Sequence, residues 1–305
     1  MNKIEELLKL KKQKNAVILA HYYQDPEIQD IADYIGDSLA LARYAQNTKA
    51  DVILFCGVHF MSETAKILNP TKKVIIPDLE AGCSLADSAP LEKFNNWIKA
   101  HPKHLIISYI NCSAEIKSVS DIICTSSNAE RIINSIDKNQ KILFAPDKLL
   151  GKYLIKKMNR DLVLWDGYCE VHAIFSFREL VKLKIRYPSS EVLAHPECKE
   201  EILNLAHFIG STSALINYTQ SSKSNEFIIV TEPGVIHQME KINPNKNYIP
   251  LSNIEGCACN ECPYMRLNTL DKMIQALETL EPEITITSQI MKKAKKPLEK
   301  MLELS

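Results

Sequence analysis

The nine cysteines include a cluster of three near the C-terminal end of the chain. Cys257, Cys259 and Cys262 lie within the stretch GCACNECPYM. Three thiols this close favour metal binding, but a closed tetrahedral zinc site needs four ligands. Neither a second Cys pair nor a His-x3-His motif follows the stretch. We therefore predict that it forms one part of a metal site whose other ligands lie elsewhere in the chain.

An internal repeat indicates where those other ligands lie. Three apolar runs end in polar or aromatic pairs spaced i, i+2, namely His21/Tyr23, Tyr109/Asn111 and His195/Glu197. A hydroxyl residue follows 17 residues after the first member of each pair, at Ser38, Ser126 and Thr212. Successive copies are offset by 88 and then 86 residues for both features. Two features with the same offsets predict three copies of one structural unit.

The elements that must position these residues are predicted to be strands alternating with helices. Each copy is expected to run strand, helix, strand, helix, strand, with helical stretches such as EIQDIADYI and CKEEILNLAHFI. Such alternation favours parallel sheets covered by helices on both faces. We predict an α/β protein of three similar α/β/α sandwich domains with short parallel sheets, over residues 1–85, 86–171 and 172–257. Residues 258–305 are expected to form a loop carrying Cys262 and a pair of C-terminal helices.

The paired residues are expected to converge on one cavity. Ligands of open α/β sheets bind outside the carboxyl ends of the strands, where the pairs lie, and strand alternation points both members of a pair to one face. Three domains arranged about a pseudo-threefold axis would bring all the pairs and hydroxyls together around a central cavity.

Two further thiols occupy matched places in the repeat. Cys83 and Cys169 each follow the last strand of a copy, 86 residues apart. One thiolate from each domain would leave a fourth metal position open, as in catalytic sites. The repeat spacing alone favours Cys257 as the third ligand. The other cysteines lie in or beside apolar runs and are predicted to be core residues, namely Cys56, Cys112, Cys124 and Cys198.

Composition and charge argue against several classes of function. Lys plus Arg equals Asp plus Glu, at 37 each, so no global basic field favours nucleic acid. No apolar run approaches the ~20 residues of a membrane span, and the N-terminal stretch lacks the features of a secretory signal. We expect a cytoplasmic protein without membrane or nucleic-acid partners, whose cysteines are buried thiols and metal ligands rather than disulfides.

An ordered set of motifs resembles the quinolinate synthase (NadA) family over nearly the whole length. The matching stretches are AHYYQ, GDSL, FMSETAKIL, YINCSAEIK, CTSSNA, DGYCEVH, AHPEC, GSTSALI and CACNECPYM followed by NTL. The resemblance implies a [4Fe–4S] cluster held by three cysteines, with one iron open to substrate. The implied ligands are Cys83, Cys169 and Cys262, because the family match is to the flanks of Cys262. Cys257 and Cys259 are spaced C-x-C rather than C-x-x-C, which disfavours a regulatory disulfide.

The same resemblance implies condensation of iminoaspartate with dihydroxyacetone phosphate to quinolinate, on the route to NAD. An L-aspartate oxidase or dehydrogenase would supply the iminoaspartate. The open iron would act as a Lewis acid. Glu197 beside His195 is the candidate base, with Tyr23 as its acid/base partner and Tyr109 as a hydrogen-bond donor to the substrate oxygen at the iron.

Several polar residues are expected to bind the two anionic substrates. His21, Ser38 and Ser126 are assigned to the dicarboxylate. Ser211, Thr212 and His195 are assigned to the phosphate, since Ser211 and Thr212 lie where a helix is expected to begin. Asn111 and Glu197 are further candidates for substrate contact. His172, three residues after Cys169, is a candidate for lining the same cavity.

Three other functions stay open at this point. An Fe–S hydro-lyase acting on a small hydroxy acid would share the open iron but would turn over a single substrate. An iron-sensing or electron-transfer protein would use a fully ligated cluster, which leaves the paired polar residues without a role. A structural zinc protein would be colourless and stable in air.

Overall fold

Three four-stranded sheets organise the chain, and all their pairings are parallel. The computed structural model describes residues 2–252 and 260–305. The strands are Ala16–His21 (β1), Tyr34–Gly36 (β2), Val52–Cys56 (β3), Lys73–Ile75 (β4), Leu105–Tyr109 (β5), Ile122–Cys124 (β6), Ile142–Ala145 (β7), Val163–Leu164 (β8), Glu191–Ala194 (β9), Phe208–Ile209 (β10), Glu226–Val230 (β11) and Asn247–Pro250 (β12). The strand order is the same in each sheet: second, first, third, fourth. The predicted α/β class and its three similar units are confirmed.

Helices alternate with these strands and cover the sheets. Their bounds are Lys3–Gln13 (α1), Pro26–Ile31 (α2), Ser38–Asn47 (α3), His59–Leu68 (α4), Ser84–Asp87 (α5), Leu91–Ala100 (α6), Ala114–Ser118 (α7), Ala129–Asn134 (α8), Lys148–Met158 (α9), Glu170–Ala173 (α10), Phe177–Arg186 (α11), Glu200–Leu203 (α12), Thr212–Ser221 (α13), Val235–Ile242 (α14), Leu270–Thr279 (α15) and Ser288–Glu303 (α16). No helix in the described ranges is both long and apolar enough to cross a membrane.

The prediction of three strands per copy is wrong, because each sheet has a fourth. The missed strands are β2, β6 and β10, each of two or three residues. Two of them overlap stretches predicted to be helical, where the helices end at Ile31 and Leu203. A strand this short has no alternation to detect. Each short strand is instead defined by its pairing with the first strand of its sheet. For example, Tyr34 lies opposite Leu19, and Phe208 lies opposite Leu193.

The central strands are buried on both faces, as parallel sheets usually are. In the first sheet, Leu19 and Phe55 belong to one core cluster, while their neighbours Ile18 and Leu54 belong to the cluster on the opposite face. This double burial explains why the strands read as nearly continuous apolar runs. It also leaves the carboxyl ends of the strands as the place where polar side chains can gather.

The C-terminal helices pack against the first two units. Helix α15 packs on α1 and β3, and α16 packs on α4, α7 and β6. Buried residues of α16 such as Leu298 and Met301 share one core cluster with residues of the first and second sheets. The pair of C-terminal helices is therefore present as expected, whereas the domain boundaries at 85, 171 and 257 stay predictions.

Candidate active site

One central cavity is lined by residues from all three sheets and from the C-terminal segment. It contains all the predicted site residues except Ser211, namely His21, Tyr23, Ser38, Cys83, Tyr109, Asn111, Ser126, Cys169, His195, Glu197, Thr212 and Cys262. Ser211 is buried and caps α13, where its hydroxyl accepts a hydrogen bond from the Ala214 amide at 3.4 Å. Ser211 does not line the cavity.

The strand ends position the paired residues as the repeat suggested. His21 and Tyr109 are the last residues of β1 and β5, and His195 follows β9 directly. Each of these strands pairs on both sides, so its carboxyl end is held in the middle of its sheet. The chain leaves each strand toward the cavity, which places the second member of the pair beside the first.

Three thiols come together in this cavity. Cys83 and Cys169 precede the short helices α5 and α10, and Cys262 precedes a 3-10 turn that begins at Met265. All three are free thiols. Burial raises the pKa of Cys83 to about 12, and the neighbouring Cys262 also raises it. Burial likewise raises the pKa of Cys169 and of Cys262, and Cys83 adds to the rise at Cys169.

These raised pKa values mean that the three thiols are unfavourable as thiolates when no cation is bound. Half-buried thiols whose charges oppose the ionisation of a neighbouring thiol need a compensating cation before they can all lose their protons. Iron in a cluster supplies that positive charge, and cysteine thiolates are its usual protein ligands. The three thiols therefore fit a three-cysteine iron–sulfur site. Cys257 and Cys259 lie outside the described residues.

A histidine and a carboxylate stand next to one of the thiols. Potential ligand atoms of Cys169, His172 and Glu197 all lie within 4.8 Å of one another. Nδ1 of His172 is 3.3 Å from the Cys169 sulfur and 2.9 Å from Oε2 of Glu197. Sulfur, imidazole and carboxylate are all metal ligands in proteins, so this part of the cavity forms a group able to bind a metal.

Glu197 is buried among hydrogen-bond donors. The Tyr109 hydroxyl donates to Oε1 of Glu197, and the His172 ring lies against Oε2. Burial alone would raise the pKa of Glu197, but the hydrogen bonds that it accepts from His172 and Tyr109 favour the charged form and lower the pKa. The ionised carboxylate is therefore favoured, which is the form able to accept a proton.

Tyr23 is connected to Glu197 through two intervening side chains. Its hydroxyl lies 2.9 Å from Oγ1 of Thr212 and 2.8 Å from Oγ1 of Thr231. Thr231 in turn lies 3.0 Å from Nε2 of His172. Burial raises the pKa of Tyr23 well above its usual value, so the phenol holds its proton. A continuous chain of hydrogen bonds thus runs from Tyr23 to Glu197.

The two strand-end histidines are uncharged at neutral pH. Burial lowers the pKa of His21 to about 4 and that of His195 to about 3. Nδ1 of His21 accepts a hydrogen bond from the Tyr23 amide at 3.2 Å, which requires that nitrogen to be unprotonated. Nε2 of His195 lies 3.2 Å from the Ser126 hydroxyl. Both rings therefore serve as neutral hydrogen-bonding groups.

Comparison with known proteins assigns the chain to a family. The family model described as quinolinate synthetase A protein matches residues 5–303. The chain belongs to the quinolinate synthase family. This family consists of enzymes of NAD biosynthesis, so the prediction of an enzyme is confirmed.

Curated quinolinate synthases resemble the chain along nearly their whole length. The one from Chloroherpeton thalassium is 60% identical over 302 residues, which cover 99% of this chain and 94% of that protein. The one from Nostoc punctiforme is 60% identical over 296 residues, or 97% of this chain and 91% of that protein. The one from Cyanophora paradoxa is 58% identical over 302 residues, or 99% and 92%.

Two buried carboxylates that the sequence analysis missed hold the thiol-bearing backbone of this quinolinate synthase family member. The amide of Cys169 donates to Oδ2 of Asp147 at 3.1 Å, and the amide of Cys262 donates to Oε1 of Glu232 at 3.4 Å. Both acids are fully buried. Arg266 also pairs with Glu232, at 2.7 Å. One sequence pattern could have revealed these residues. Asp147 and Glu232 each follow the third strand of their copy, in the stretches KILFAPD and FIIVTEP.

The burial of His21 predicts a pH-dependent contribution to stability. Its pKa is 6.5 when unperturbed and about 4 when folded, so only the unfolded chain binds the proton between these values. The contribution is therefore complete above pH 6.5 and is lost as pH falls toward 4. At about 1.4 kcal/mol per pKa unit, it amounts to about 3 kcal/mol.

Urea unfolding of the cluster-free protein at neutral pH and near pH 4 measures this contribution. Between the two pH values, we expect the wild type to lose up to about 3 kcal/mol more unfolding free energy than His21→Gln. His101→Gln, which alters a histidine outside the cavity, should lose as much as the wild type. An equal loss in His21→Gln and wild type would contradict the prediction.

Proposed function

We propose that the chain condenses iminoaspartate with dihydroxyacetone phosphate to give quinolinate, inorganic phosphate and two waters, with a [4Fe–4S] cluster on Cys83, Cys169 and Cys262. The observation that carries this proposal is the meeting of three thiols, two from matched places in the repeat and one from the C-terminal segment, with Glu197 and Tyr23 in one cavity. The family assignment supports the reaction. The iminoaspartate would be supplied by an L-aspartate oxidase or dehydrogenase, in the cytoplasm.

The cavity offers neutral donors to its two anionic substrates. Among the described residues that line it there is no lysine or arginine. The hydroxyls of Ser38 and Ser126, together with His21, would bind the carboxylates of iminoaspartate, while Thr212 and His195 would bind the phosphate. Hydrogen bonds to ionised groups are roughly twice as strong as those between neutral groups. Ser211 would act indirectly, by capping α13 and so holding Thr212.

The cluster would supply an open iron that acts as a Lewis acid on a substrate oxygen. Carbon–carbon bond formation and the two dehydrations also require proton transfers. Glu197 would remove a proton, because its carboxylate lies in the cavity and is ionised. Tyr23 would hold a proton at its hydroxyl and exchange it along the hydrogen bonds through Thr231 and His172. Tyr109 orients the Glu197 carboxylate, and Asn111 would contact the substrate.

An assay of the anaerobically reconstituted protein tests this function. The protein is given both substrates, each substrate alone, or neither substrate. We expect quinolinate and inorganic phosphate in equal amounts, and only when both substrates are present. Turnover of a single hydroxy acid would favour an Fe–S hydro-lyase instead. A protein that binds stoichiometric zinc and no iron would exclude the cluster-dependent reaction.

Ser38→Ala and Ser126→Ala should each weaken the binding of a small dicarboxylate such as maleate by about tenfold or more. Losing a hydrogen bond to a charged group costs ~1.5–3 kcal/mol. Calorimetric titration of the cluster-loaded protein measures the dissociation constant. Ser118→Ala, which removes a hydroxyl outside the cavity, should bind maleate as the wild type does. Unchanged affinity in both cavity variants would remove these serines from the substrate site.

A further inference from the structure

The side chain of Asp37 hydrogen-bonds to residues from all three copies of the repeat. Its Oδ1 accepts a hydrogen bond from the Ala40 amide at 3.0 Å, which caps α3 of the first copy. Its Oδ2 accepts from the Ser127 hydroxyl at 2.8 Å and from the Ser213 hydroxyl at 2.7 Å. Ser127 belongs to the second copy and Ser213 to the third. Asp37 is only 8% exposed, so little solvent competes for these bonds.

Capping a helix does not explain this arrangement. An N-cap uses one side-chain oxygen, and at Asp37 that oxygen is Oδ1. The second oxygen binds two hydroxyls that are 90 and 176 residues away in the chain. Hydrogen bonds from hydroxyls to a carboxylate are short and strong. Asp37 therefore links the first copy directly to both the second and the third.

The link lies next to the hydroxyls proposed to bind substrate. Asp37 precedes Ser38, Ser127 follows Ser126, and Ser213 follows Thr212. Each of the three linked residues is thus adjacent in the chain to one of the residues proposed to bind substrate through its hydroxyl. A change in the distances among the three partners therefore changes the spacing of Ser38, Ser126 and Thr212.

A direct role for Asp37 in anion binding is disfavoured by its charge. A carboxylate beside bound carboxylates or phosphate repels them. The three hydrogen bonds that it accepts from the protein indicate a different task.

We propose that Asp37 is a positioning residue, which sets the spacing of Ser38, Ser126 and Thr212 so that they can bind the anionic substrates together. This inference rests on the proposed function for the identity of those anions. The three-way link itself does not depend on the reaction.

Calorimetric titration of maleate into cluster-loaded protein tests the positioning role. We expect Asp37→Ala to weaken binding at least tenfold, and Ser127→Ala and Ser213→Ala to weaken it by about threefold each. In the quinolinate assay, the KM values of Asp37→Ala should rise more than its kcat falls, and Asp37→Asn should recover part of the affinity. Thr287→Ala removes the N-cap of α16, away from the cavity, and should bind maleate as the wild type does.

Double-mutant cycles on urea unfolding of the cluster-free protein test the link without substrate. Asp37→Ala combined with Ser127→Ala or with Ser213→Ala should destabilise by less than the sum of the single variants, because each pair shares one bond. Asp37→Ala combined with Thr287→Ala should be additive. If the wild type forms no quinolinate, the reaction is wrong, and these cycles still decide whether the link exists.

Two results would overturn the inference. Additive effects in both cycles would show that Asp37 does not couple the copies. Non-additive effects with unchanged or tighter maleate binding in Asp37→Ala would leave a structural contact without a positioning role.

Discussion

Three single variants, Cys83→Ala, Cys169→Ala and Cys262→Ala, should each lack iron after anaerobic purification. We expect the wild type to be brown, to bleach in air, and to carry about four irons per chain, as a [4Fe–4S] cluster requires. The three thiols line one cavity, and each has a raised pKa, so their ionisation together is unfavourable without a cation. Losing one thiolate leaves two ligands, which is too few to retain a cluster there. Iron analysis and the visible absorption spectrum measure the result.

Cysteines elsewhere provide matched controls. Cys124→Ala changes a fully buried core thiol and should keep its iron, provided that the variant is folded by circular dichroism. Cys257→Ala and Cys259→Ala should also keep the cluster. Iron loss in Cys257→Ala together with iron retention in Cys262→Ala would show that the third ligand is misassigned.

Tyr23→Phe and Glu197→Gln should retain the cluster and lose quinolinate formation by ~10²–10⁴-fold, the usual worth of a positioned proton transfer. Phenylalanine keeps the ring of Tyr23 but removes the hydroxyl that bonds Thr212 and Thr231. Glutamine keeps the shape of Glu197 but cannot accept the proton. Steady-state rates, normalised to iron content, measure the loss.

Tyr153→Phe is the matched control for Tyr23→Phe, because Tyr153 lies outside the cavity and bonds Lys157. It should retain nearly the wild-type rate. Rates within about threefold of wild type in both cavity variants would make Tyr23 and Glu197 structural residues, and the proton transfers would then belong to other groups.

The sequence alone determined the parts of the protein that repeat along the chain. The equal offsets of the strand-end pairs and of the hydroxyls predicted three similar α/β units, because each copy must form the same local structure to bury its apolar runs. Ligands of open parallel sheets bind at the carboxyl ends of the strands, so the sequence pattern predicted that the pairs share one cavity. The family motifs, rather than the repeat spacing, favoured Cys262, and Cys262 lines that cavity.

The tertiary structure alone decided which side chains touch across the copies. Tyr23 meets Thr231 across 208 residues, and Asp37 meets Ser213 across 176. The short strands β2, β6 and β10 likewise exist through pairing with a neighbouring strand. Nothing in local residue spacing encodes these contacts. They form only when burial of the sheets' apolar faces brings distant strand ends to within hydrogen-bonding distance, about 3 Å.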